Sequence, residues 1–424
     1  MKLRTLGLVG LCLMVSLMLV ACGGGTTVKN NSETIETAIK EKTTITFWHT
    51  LVGKQEEALK KLTSEFEREN PKVKVNLQSQ VSYSNLQAKL MSTMQAPKAL
   101  PTITQAYPGW LWYASKNKML VNLQPYISNK KIGIFGEEAI KKELMESAQL
   151  EGVQYGLPFN KSTTVLFYNQ DLLKKYGINV PKTLDELEKA SKKVYEKSNH
   201  KVIGAGFDSL SNYYTTALKD AGINFDDKTD FMSPTSKAVI DYYFRGVKAG
   251  YFRIAGSDKY MSKVFANQKI AFYVASSAVE SFIAQDLKFT YNVAASPTQH
   301  AIQQGADIYM FSQADAKQRT AAYLYEKFLA KTSSTVYLAN QTGYIPVTYA
   351  GMKDPVYVKS KSSKLPAVIK EATEHLFVNP VQENSDAAYT QLDVAMQTIL
   401  SNPRGKEEGL IKQGEMQLKN AWTK

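Results

Sequence analysis

Residues 45–77 read ITFWHTLVGKQEEALKKLTSEFERENPKVKVNL, and this stretch decides the fold class. Ile45-Thr46-Phe47-Trp48 alternates after a polar stretch, the period of a strand. Over 54–69, Ala58, Leu59, Leu62 and Phe66 fall on one helical face with charges opposite. Pro71 ends that helix, and Val73, Val75 and Leu77 alternate as a second strand. Working outward, Tyr83 to Gln95 is helical, and residues 100–105 (LPTITQ) form a third short strand. Thr183-Leu-Asp-Glu186 after Pro181 is a capping box that opens another amphipathic helix. Strands alternating with helices of this length predict α/β layers around a largely parallel sheet. The sequence shows no repeat of 20–50 residues.

The chain has 424 residues, 44% hydrophobic and 21% charged, which excludes disordered, collagenous and coiled-coil classes. Lys plus Arg minus Asp plus Glu is 52 − 39, or +13. The basic residues are spread over most helices beside acidic ones, so the excess reads as a solvated surface and no nucleic-acid partner is expected.

The N-terminus predicts the compartment. Lys2 and Arg4 precede Leu6–Ala21, an uncharged apolar run of 16 residues, shorter than the roughly 18–20 that span a bilayer. It ends Leu19-Val20-Ala21-Cys22 before three glycines and resembles a bacterial lipobox, in which the Cys is diacylated and becomes the mature N-terminus. Residues 1–21 are then a signal peptide, and 22–42 the lipidated Cys22 and a polar, flexible tether. Cys12 leaves with the signal, so the mature chain of 424 − 21 = 403 residues has no free thiol and no cysteine-ligated metal. Its location is the outer face of the cell membrane, at a Gram-positive surface, attached by lipid alone.

Catalytic motifs are missing. His49, His200, His300 and His375 have no metal-ligand spacing, and no GxSxG, GxxxxGK[ST] or GxGxxG follows a strand. Gly204-Ala-Gly206 lacks the third glycine and the helix. No catalytic residue, metal or cofactor is predicted. A carboxylate pair assembled from distant segments stays open.

Aromatic residues gather instead at one predicted edge. Trp48-His49 closes the first strand, and Tyr107-Pro-Gly-Trp110-Leu-Trp112-Tyr113 follows the third, both at the carboxyl end where open α/β sheets bind ligands. Aromatic faces beside a few polar groups suit sugars and polyols.

Residues 158–175, PFNKSTTVLFYNQDLLKK, resemble the signature of family 1 extracellular solute-binding proteins, the ligand-capturing subunits of ABC importers. Pro158, Phe159, Asn160, Val165, Leu166, Phe167, Tyr168 and Asn169 fill that pattern without a gap. The resemblance covers the mature chain and is strongest to the glycerol-3-phosphate-binding subgroup, through Thr46-Phe-Trp-His49, Pro158–Thr163 and Gly343–Thr348. It implies a periplasmic-binding-protein-like fold of two α/β lobes joined by hinge strands. The lobes would be 43–165 plus 306–331 and 166–305 plus 332–424. It also implies a monomer that delivers its solute to ABC permease subunits. By similarity Tyr83, Ser162, Ser276, Ser277, Gly305 and Tyr344 line the cleft, beside Trp48, His49, Tyr107 and Trp110.

The chain departs from the subgroup twice. Pro108 stands where an acidic residue follows the third strand, and the Arg-rich segment near the C-terminus is replaced by Asn384–Gln391, which offers Tyr389 and no Arg. Phosphate favours several charged donors, so the ligand class widens to an oligosaccharide, a polyol or a glycerophosphodiester, with Lys161 as a compensating charge. Two other readings stand beside the receptor. A secreted carbohydrate-active enzyme would show a carboxylate pair about 5–10 Å apart in the cleft, and a surface adhesin a convex aromatic patch.

Overall fold

The strand–helix–strand unit of residues 45–77 forms the edge of a five-stranded sheet. The computed structural model describes residues 35–258, 260–283 and 287–423, so the signal peptide, Cys22 and the start of the tether lie outside the described residues. The strands used below are β1 (Thr43–His49), β2 (Val73–Ser79), β3 (Ile103–Ala106), β4 (Gly156–Pro158), β5 (Ser162–Asn169), β6 (Ile203–Phe207), β7 (Phe252–Ile254), β8 (Ile270–Ser276), β9 (Tyr291–Ala295), β10 (Ala301–Gln304), β11 (Asp307–Met310) and β12 (Leu376–Phe377). The helices are α1 (Lys54–Glu69), α2 (Tyr83–Thr93), α3 (Leu184–Lys197), α4 (Leu210–Asp220), α5 (Ala316–Ala330), α6 (Thr332–Thr342) and α7 (Ser385–Leu400).

The N-terminal lobe is built on the sheet β2-β1-β3-β11-β4, and the C-terminal lobe on β12-β10-β5-β8-β6-β7 with β9 also paired to β5. Both sheets are mixed, which corrects the expectation of a largely parallel sheet. The chain crosses between lobes through β4–β5 and returns through β10–β11. Of the crossing strands, β11 runs antiparallel to β3 and β4, and β5 antiparallel to β8, whereas β10 pairs in parallel with β12.

The expected face of α1 is the buried one: Ala58, Leu59, Leu62 and Phe66 pack with Ile45 and Phe47 of β1. Fully burying each large side chain contributes roughly 1.5–3 kcal/mol. A separate core holds Leu166, Phe207, Leu210, Phe272 and Leu392 in the second lobe. The start of α3 keeps half of its expected box. Thr183 Oγ1 accepts from Glu186 N at 3.1 Å, but the Glu186 carboxylate turns to Lys182 N at 2.7 Å.

Three boundaries differ from expectation. The sequence predicts a tether through residue 42, yet Ile35 and Ile39 pack against the first core and the Glu36 carbonyl accepts from Thr320 Oγ1 at 2.8 Å. Apolar residues at i and i+4 bury one side of an otherwise polar segment. The first lobe also does not end at residue 331, since Leu338 of α6, Tyr344 and Val347 belong to its core. All of β5, from Ser162 on, belongs to the second sheet.

Candidate functional site

A cavity of about 370 Å³ lies between the lobes, with Tyr83, Tyr107 and Trp110 on one side, Asn212, Asp386 and Tyr389 on the other, and Lys161 and Gly305 at the crossing. Its aromatic side begins at the turn into α2. Val81 there has φ 67°, a left-handed backbone that strains a β-branched residue by about 1–3 kcal/mol. Ser82 then caps the helix, accepting from Asn85 N at 3.2 Å, and Tyr83 is the first helical residue.

Tyr83 is held from below. Asn160 Nδ2 donates to its hydroxyl at 3.0 Å, Gln105 Nε2 donates to Asn160 Oδ1 at 2.7 Å, and Thr50 N donates to Gln105 Oε1 at 2.6 Å. The chain of bonds ties the ends of β1 and β3 to the crossing segment. Tyr83, Tyr107 and Trp110 pack as a group, with ring centroids 5.3–6.0 Å apart and planes inclined by 58–68°. Burial raises both tyrosine hydroxyls above their usual pKa, so both stay protonated at neutral pH.

At the crossing, Gly305 has φ 84°, and a Cβ there would lie 1.9 Å from the Asn160 carbonyl oxygen. Only glycine permits that approach, which also lets Gly305 N donate to the Tyr107 hydroxyl at 3.2 Å. Lys161 Nζ lies 2.9 Å from Asp307 Oδ1, both side chains almost fully buried. Burial pushes the Asp307 carboxyl upward and the ammonium pulls it back. The Lys161 charge is therefore already matched inside the fold, against the expectation that it stands ready for an anionic ligand.

The remaining expected residues separate into two groups. Tyr389 lines the cleft on α7 and donates to Asn212 Oδ1. Ser276 borders a smaller cavity of about 150 Å³ that shares Ser209, Asn212 and Gln304 with the main one. Its hydroxyl donates to Ser162 Oγ at 3.0 Å. Ser162, Ser277 and Tyr344 are buried and absent from both cavity walls. Tyr344 donates to Gln55 Oε1 at 3.3 Å, while the Ser277 hydroxyl has no partner among the described residues.

Trp48 and His49 correct the reading of the strand edge. Trp48 is 6% exposed and packs with Leu86 and Leu90 of α2, its Nε1 donating to Gln78 Oε1 at 2.8 Å. His49 is fully buried, and loss of solvation lowers its pKa to about 4. Helix α2 covers Trp48, while His49 lies on the opposite face of β1 beside Phe47, with Glu56 and Lys60 of α1 nearby.

Sequence reasoning missed Gln87, Asn212 and Asp386. Gln87 Nε2, from α2, donates to Asp386 Oδ2 of α7 and so joins the two lobes across the cleft. Burial pushes the Asp386 carboxyl up to about 6, with Gln87 and Trp110 opposing. The i, i+3 spacing of Asp386 and Tyr389 on one helix was the available signal. Among the described residues, no group of three or more His, Cys, Asp and Glu is placed to hold a metal ion, and no helix is long and apolar enough to cross a membrane.

Two lobes crossed by paired strands, with a cleft between them, define a periplasmic-binding-protein-like fold. Residues 61–364 match the model of the bacterial extracellular solute-binding proteins, and the chain belongs to that family. It is similar to the sn-glycerol-3-phosphate-binding periplasmic protein UgpB of Shigella flexneri, 27% identical over 331 residues, covering 73% of this chain and 75% of that one. The Pectobacterium atrosepticum UgpB is 26% identical over 331 residues, with 73% and 74% covered. Among solved structures, the ABC substrate-binding protein Lmo0181 of Listeria monocytogenes in complex with cycloalternan has a TM-score of 0.77 at 22% identity, covering 90% of this chain and 99% of that one. UgpB of Mycobacterium tuberculosis in complex with glycerophosphocholine has a TM-score of 0.78 at 17% identity, with 89% and 98% covered.

Proposed function

We propose that this chain is the lipid-anchored substrate-binding protein of an ABC importer, capturing a carbohydrate, polyol or glycerophosphodiester-type solute by lobe closure and handing it to a membrane permease. The observation that carries this reading is the cleft itself. One wall is aromatic, the other offers hydroxyl, amide and carboxylate groups, and the two walls belong to different lobes. Tyr107 and Trp110 serve as apolar platforms, with Asn212, Gln304 and Tyr389 as hydrogen-bond partners. Asp386 is the only carboxylate in the described wall, which does not provide the pair a glycosidase needs. Cycloalternan and glycerophosphocholine, the ligands of two structural neighbours, support the same class of solute, whereas the glycerol 3-phosphate of the UgpB relatives lies outside it.

Two measurements test the reading. A thermal-shift panel of sugars, polyols and glycerophosphodiesters should give at least one member that raises the melting temperature progressively with its concentration; a flat response across all three classes contradicts it. Cys22→Ala should release the protein from the membrane into the medium, because one peptide chain without its acyl groups has no anchor. Continued membrane retention would argue against the lipid attachment.

A further inference from the structure

The charged groups of the cleft are few and unequal. Lys161 is cancelled by Asp307 at 2.9 Å. That leaves Asp386, whose hydrogen-bonding neighbours, Gln87 and Trp110, are neutral. Asp386 stands against the turn that carries the aromatic rings: a Cβ on Gly109 would lie 3.5 Å from Asp386 Cβ. Beside it the Tyr107 and Trp110 rings are 5.3 Å apart and inclined by 58°, with Tyr83 5.4 Å and 6.0 Å from them. Rings tilted this steeply form a corner with electron-rich faces. A corner of aromatic faces next to a carboxylate with no cation of its own is complementary to an ammonium group.

We propose that the corner of Tyr83, Tyr107, Trp110 and Asp386 receives a positively charged group of the solute, which makes that solute a cationic or zwitterionic molecule. This rests on the cleft being the solute site, and it narrows the class: among glycerophosphodiesters, one with an ammonium headgroup fits, and a phosphate monoester does not. Desolvation of the carboxyl is unfavourable while it stands alone, and the attraction of a bound cation offsets part of that penalty.

The test is calorimetry on the mature protein with four probes: choline, its neutral isostere with a tert-butyl group in place of trimethylammonium, glycerophosphocholine and maltose. Choline should bind about tenfold or more tightly than its isostere. Asp386→Asn should erase that ratio by weakening choline far more than the isostere, and the melting temperature read beside it separates any effect of the altered Gln87 bond. Asp386→Glu, which keeps the charge, should retain part of it. Equal binding of choline and isostere overturns the proposal, as does failure of both ammonium probes to bind. If maltose then binds and compacts the protein, the receptor reading survives and only the ammonium assignment falls; if no probe binds at all, the ammonium assignment falls and the thermal-shift panel decides the receptor reading.

Discussion

The two walls of the cleft are built on opposite plans. On the N-terminal side, Tyr83, Tyr107 and Trp110 lean on each other and are braced from beneath by Asn160, Gln105 and Thr50. On the C-terminal side, Ser209, Asn212 and Asp386 sit at the first turns of α4 and α7, where helix N-termini face the cavity. The first wall is apolar, pre-packed and does not need the second. The second is polar and short-range, and it meets the first through the Gln87–Asp386 bond. The N-terminal wall should therefore supply most of the affinity, and the C-terminal wall the selectivity and the closure.

The sharpest contrast lies between two tryptophans on the same lobe. Trp48→Ala removes a core side chain and should lower stability by about 3–5 kcal/mol while leaving the affinity of the folded protein unchanged. Chemical denaturation paired with calorimetry reads both. A loss of affinity with unchanged stability would return Trp48 to the site. Trp110→Ala should do the reverse, weakening solute binding by about 1–3 kcal/mol, or roughly 5–150-fold, with a small change in melting temperature.

A third effect separates the lobes by pH. His49 has a folded pKa lowered to about 4 by burial, so the unfolded chain takes up its proton first. Its contribution is whole above pH 6.5 and is lost as pH falls from there towards 4, at no more than about 1.4 kcal/mol per pH unit. Unfolding curves across that window should show the loss, and His49→Gln should flatten it. A slope that His49→Gln leaves intact would assign it elsewhere. The smallest effect is expected from the polar wall: Asn212→Ala removes one neutral partner and should weaken binding by about 0.5–1.5 kcal/mol. If Asn212→Ala exceeded Trp110→Ala, the ranking of the walls would be reversed.

The unequal walls also explain what could be read from the sequence. Hydrophobic period alone placed β1, α1 and β2, because the faces of 45–77 are chemically distinct. It also brought Tyr107 and Trp110 to the cleft, since they follow a strand at its carboxyl end. The same rule misplaced Trp48, whose strand has the same ending, because period does not say which residues the next helix will cover. Ser162, Ser277 and Tyr344 were reached by family resemblance, and they lie beneath the cavity rather than in its wall. Asp386 was hidden by distance. Its role depends on Gln87 and Gly109, nearly 300 residues away in sequence, and no local pattern encodes that meeting. Lys161 was visible as a charge, but Asp307, the residue that neutralises it, arrives only with the returning strand.

Small-angle scattering during a titration with a solute that calorimetry shows to bind tests the central claim most directly. Two lobes that close on their ligand must become more compact, so the radius of gyration should fall and level off at the calorimetric stoichiometry. A scattering curve identical at zero and saturating solute would contradict capture by closure.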